Sequence, residues 1–170
     1  MGELSEKQSI EINVSAEKAW EIVGPNFVNI GNWGRGIIKS WENTDAPINI
    51  EGAPAGGRFC DVGKFGEADE KILHYDADKM EITWSAVISK MPGFVKNLKN
   101  QIKVESTGDN SCRVSTNITA DLSGVGGLVM GGAITKNMIK LIAGFLKDWK
   151  AYAETGEVSD AKKRELEAIA

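Results

Sequence analysis

The sequence predicts an α+β domain in which a curved antiparallel sheet of six to seven strands wraps one long C-terminal helix, with two short helices after the first strand. Three observations predict it. Segments between Ser9 and Leu122 repeatedly alternate apolar and polar residues, the period of a half-buried strand. Turn-forming clusters, such as Asp76-Ala77-Asp78-Lys79, separate those segments at hairpin distances. From Met130 onward, apolar residues recur at three- and four-residue steps, the period of a helix with one buried face.

The elements follow in order. Ser9 to Val14 alternates through Ile10, Ile12 and Val14 and reads as strand one. Ser15 is placed to cap a short helix through Val23 whose inner face is Ala19, Trp20 and Val23. Gly24-Pro25 ends it, and Asn26 to Gly31 suits a second short helix. Strands are predicted over 37–43, 58–62, 67–76, 80–90, 97–105 and 112–122, with a turn-rich connection over 45–57. The last of these is the cleanest: Cys112, Val114, Thr116, Ile118, Ala120 and Leu122 share one face. A glycine-rich stretch from Ser123 to Gly132 is expected to lead into the long helix, which Gly156 ends. The domain is therefore drawn over residues 1–156, and 157–170 is read as a charged tail forming a frayed helix.

Bulk properties exclude several function classes. The 170 residues suit one domain, and 42% hydrophobic residues suffice for a core without metal or disulfide support. A net charge of -4 offers no basic field for nucleic acid. No leader-like apolar segment opens the chain, and no run of about eighteen apolar residues is present, so integral membrane association is not expected and the expected location is the cytoplasm. Cys60 and Cys112 lie in strand-like segments and are read as reduced core residues. Close Cys or His pairs, phosphate-loop lysines and a nucleophile elbow are all missing, so no metal and no cofactor is expected.

Local motifs carry a resemblance. The stretches Ser15 to Val23, Phe27 to Trp33, Ile37 to Ser40, Asp69 to Leu73, Lys96 to Leu98, and Gly108 to Val114 occur in an order that resembles the START-like, birch-pollen-allergen-like helix-grip superfamily. Within it, they are most similar to the polyketide cyclase/dehydrase branch and, distantly, to the plant abscisic-acid receptors. The likeness spans about residues 8–155. It implies a ligand cavity between sheet and long helix, with Lys39 and Glu70 facing into it. The receptors' two closing loops are not matched, since the sequence reads Gly63-Lys64-Phe65-Gly66 and Gly93-Phe94-Val95 at those places.

Lys39 shares strand parity with Ile37 and Trp41, which fits a pocket interior or a sheet edge. The resemblance favours the pocket, with Glu70 as countercharge. His74, the only histidine, has the strand parity of Glu70 and Ile72 and is expected in the cavity, near its mouth. Trp33, Trp41, Phe59, Trp84, Ile118, Met138, Ile142 and Phe145 are the candidate lining, although periodicity reports burial and cannot report emptiness. The expected function is binding or carrying an apolar or amphipathic small molecule. The alternatives are a cyclase- or dehydratase-like enzyme using His74 and Glu70 for proton transfer, or a protein-interaction module with a filled core.

Overall fold

The computed structural model describes residues 2–170. Seven antiparallel strands form one open sheet: β1 (Gly2–Ile12), β2 (Lys39–Glu42), β3 (Gly57–Asp61), β4 (Glu67–Asp76), β5 (Glu81–Ile88), β6 (Val95–Gly108) and β7 (Ser111–Leu122), in the order β1-β7-β6-β5-β4-β3-β2. Helix α1 (Ala16–Val23) and a 3-10 segment (Phe27–Asn32) follow β1. Helix α2 (Gly124–Thr155) crosses the inner face, and α3 (Asp160–Ile169) closes the chain. This is the α+β architecture that the apolar periods predict. β1 is longer than its alternation suggested, because its first half pairs with β7 from Gly2↔Leu122 onward.

Local chemistry sets the boundaries. Ser15 Oγ accepts from Lys18 N–H at 3.3 Å and caps α1. Gly31 donates to Ser40 Oγ at 2.9 Å, and a Cβ at Gly31 would lie 2.7 Å from Ser40 N, so only glycine lets the 3-10 segment meet β2 this closely. Gly156 takes φ of 75° and ends α2 as a left-handed cap. The glycine-rich stretch from Gly124 is itself helical, which corrects the expectation that it only precedes the helix.

The core lies between the C-terminal half of α2, α1, the 3-10 segment and the inner face of the sheet. Trp33, Trp149, Phe27, Ile12, Ile82, Ile102 and Ile142 are its largest fully buried apolar side chains. The Trp149 indole donates to Ala19 O at 3.2 Å and pins α2 to α1. The first half of α2 is held differently. Ile134 joins only a small satellite cluster built on Leu4, Ala120 and Leu122. Few buried apolar contacts mean a low cost of local opening there.

The segment 157–170 is not frayed. Lys162, in α3, is fully buried, donates to Ile37 O and pairs with Glu165 at 3.1 Å. Glu165 in turn accepts from Gly36 N–H at 2.7 Å, so α3 is tied to the loop before β2. Asp148 on α2 accepts from Arg35 N–H, Nε and Nη2 at 2.9, 2.7 and 2.6 Å and from the α3 cap Ser159 at 2.5 Å. The charged composition of 157–170 conceals these anchors, since a lysine reads as solvent-facing until its acceptors are in place.

Candidate functional site

Cross-strand register decides which side chains face inward. Arg58 opposes Glu70, Cys60 opposes Ala68 and Ile72 opposes Trp84, and these residues point to the helix side. Phe59 and Trp41 oppose each other and therefore lie on the outer face, where their rings meet at 6.0 Å. Lys39 shares that outer parity on the edge strand β2, is exposed, and lies over the Trp41 ring at 5.2 Å. The expected inward placement of Lys39, Trp41 and Phe59 is thereby corrected: a charged residue flanked by apolar neighbours is here an edge-strand residue.

His74 is also displaced. A bulge at Leu73 breaks the register between Ile72 and His74, so Tyr75 opposes Ile82 and turns inward while His74 turns out. His74 lies 3.9 Å from Glu81, half exposed, and has no contact with Glu70. The proton-transfer pair of the enzyme alternative is not formed.

The inner site is built around Arg58, which the sequence reading missed. Its side chain is only 2% exposed. Nε donates to Glu70 Oε2 at 2.5 Å, Nη1 donates to Phe27 O, and the guanidinium lies 3.9 Å from the Phe27 ring centre. Phe27 and Trp84 meet edge-on at 5.5 Å, so the cation sits in an aromatic box. Arg58 Nη2 is buried and has no partner. The Arg58 side chain borders a cavity of about 10 Å³ whose other walls include Phe27, Trp33, Trp84, Ile102 and Phe145. That space suits about one water molecule. Trp33, in the same wall, has a second buried N–H without a partner. Arg58 and Trp33, each with an unpartnered buried N–H, thus both line one space whose lining side chains include no carboxylate or hydroxyl acceptor.

The remaining candidates divide. Glu70 reaches the site only through Arg58; Trp33, Trp84 and Phe145 line the cavity; Ile142 is buried in the core beside it. Ile118 and Met138 pack against that core half-buried. An outer cleft of about 160 Å³, lined by Asn26, Asn29, Asn32 and Tyr152, shares Trp33 and Ile22 with the cavity, so these two residues form the partition. No three His, Cys, Asp or Glu side chains converge among the described residues to seat a metal.

Burial pushes the Cys60 thiol up to about 12, reinforced by the Glu70 charge 3.8 Å away. Cys112 is also raised by burial. Both should therefore resist iodoacetamide in native buffer at about pH 8, since the thiolate is the nucleophile, and react after denaturation. Fast native labelling of Cys60, read by mass spectrometry, would mean that the inner face opens readily.

This combination of seven-stranded sheet, grip helix and apolar interior has counterparts. A sequence profile described as "Polyketide cyclase / dehydrase and lipid transport" matches residues 4–154. The chain belongs to that family. It is one whose members bind hydrophobic small molecules, and the START-like helix-grip resemblance holds. An uncharacterised protein from Bacillus thuringiensis superposes with a TM-score of 0.70 at 18% identity, covering 88% of this chain and 98% of that one. A START superfamily protein from Mycobacterium smegmatis gives 0.68 at 14% identity, with coverage of 92% and 100%. Truncated norcoclaurine synthase from Thalictrum flavum gives 0.68 at 16%, with coverage of 92% and 96%. At such identities these likenesses concern the fold alone. No curated protein is significantly similar to the chain.

Proposed function

We propose that this polyketide cyclase/dehydrase family member binds an apolar or amphipathic small molecule in the interior around Arg58, and that the ligand carries an acceptor oxygen, as a carboxylate or carbonyl. The observation that carries this reading is the buried, unpartnered Nη2 of Arg58, a residue that lines an aromatic-walled space. An unpaired buried donor costs about 1–3 kcal/mol, more when charged, and an acceptor removes that cost. The apolar walls then supply roughly 25 cal/mol per Å² of ligand surface buried. A drug-sized ligand needs a pocket of about 300–1,000 Å³. Admission therefore requires movement of the Trp33–Ile22 partition or of the lightly packed first half of α2.

Native mass spectrometry of the chain purified from cells, followed by titration with a long-chain carboxylic acid and its matching primary amine, tests the reading. The acid should bind and quench tryptophan fluorescence, and the amine should bind at least tenfold more weakly. A chain that emerges empty and takes neither compound would favour the filled-core interaction module. Equal binding of acid and amine would remove Arg58 as the anchor.

A further inference from the structure

One end of the molecule gathers three segments outside the cavity. Lys90 N–H donates to Phe65 O at 3.1 Å, joining the β5–β6 connection to Gly63–Phe65. Ser123 N–H donates to Phe94 O at 2.8 Å, and the Phe94 ring lies so close over Gly126 that a Cβ there would meet it at 2.6 Å. The start of α2 is thereby fixed beside the same connection. On its outer side, Val125, Leu128 and Val129 are 76%, 78% and 73% exposed, with Met130 and Phe65 about half exposed. Spacings of three and four residues put Val125, Leu128 and Val129 on one ridge. The most apolar 18-residue window of α2 is only 17% buried, against the expectation for a core helix.

Charge at this end runs against the whole. The chain carries a net charge of -4, yet Lys64, Lys90 and Lys96 at this end, and Lys136 and Lys140 further along α2, are exposed and form no ion pair among the described residues. Carboxylates are also near: Asp61 accepts from Gly63 N–H, Glu67 opposes Asp61, Asp121 opposes Lys96 and accepts from Asn97, and Glu6 accepts from Gln8, which also donates to Ile139 O on α2. Lys136 and Lys140 continue the Val125–Val129 face of α2, about 10 and 16 Å further along the axis. An apolar ridge backed by lysines on one helix face matches the layering of acyl chains beneath anionic headgroups.

We propose that this end of the molecule, centred on Val125, Leu128 and Val129 and flanked by Lys136 and Lys140, docks on the surface of an anionic lipid bilayer. α2 lies on the interface and does not cross it: Trp149 and Asp148 in its C-terminal half are fully buried in the protein. The surface stands apart from the Arg58 interior, so the proposal holds whether or not a small molecule is bound.

Sedimentation of the full chain with phosphatidylcholine vesicles, with and without phosphatidylglycerol, tests it. Binding should require phosphatidylglycerol and weaken as salt is added. Lys136→Gln and Lys140→Gln should each lower the partition coefficient about fivefold. Leu128→Ser/Val129→Ser should lower it at least tenfold while the circular dichroism spectrum is retained, because both residues already face solvent. Failure of the parent chain to sediment with anionic vesicles would overturn the proposal. So would a solution dimer of the parent chain that the same serine substitutions dissolve, since the ridge would then belong to a second copy.

Discussion

Arg58→Met, with Glu70 left in place, should lower the free energy of unfolding by about 3–5 kcal/mol in a urea titration, because it strands a carboxylate in a site built for a pair. Arg58 is 2% exposed, and Glu70 receives its Nε hydrogen bond at 2.5 Å. The same substitution also frees Phe27 O, which Nη1 now satisfies. Arg58→Met/Glu70→Met should recover most of the loss, since an apolar replacement of both partners leaves no orphaned charge. The double variant then separates stability from binding: it should fold well and lose the preference for acids over amines. A cost below about 1 kcal/mol for the single variant would place the Glu70 carboxylate in water, where such pairs contribute little.

Asp148→Ala should cost a further class of contacts, with a loss again of about 3–5 kcal/mol. Its fully buried carboxylate joins α2 to the Arg35 backbone and guanidinium and to the Ser159 cap of α3. Arg35, about a third exposed, retains access to water, but its backbone N–H and the Ser159 hydroxyl lose their acceptor. Amide hydrogen exchange should accelerate through 160–169 before the sheet is affected, because α3 is attached mainly through this hub and Lys162. Asp148→Asn keeps the shape and some hydrogen bonds and should fall between the two. Unchanged exchange in α3 would show that Lys162 and Glu165 hold it without Asp148.

Much of the interior was legible in particular residues. Alternation in β7 identified its inner face, and the bounds of β4, 67–76, are those read from the sequence. One inconsistency was legible too. Cys60 as a core residue and Phe59 as a cavity residue cannot both hold, because neighbours in a strand face opposite ways. Placing Cys60 inside puts Arg58 inside with it, opposite Glu70. Nothing local marks the bulge at Leu73, which reverses the parity of His74, because a bulge is set by pairing with Thr83 and Ile82 of the next strand.

What the amino-acid order determined alone was the succession of elements, their periods and the caps at Ser15 and Gly156, all governed by contacts within a few residues. Only the tertiary structure decided that Arg58 and not Lys39 is the interior cation, that Lys162 and Asp148 are buried, and that the apolar start of α2 lies uncovered. Each of these depends on which partner arrives from a distant segment. Hydrophobicity states what a side chain prefers; burial also requires a neighbour to cover it.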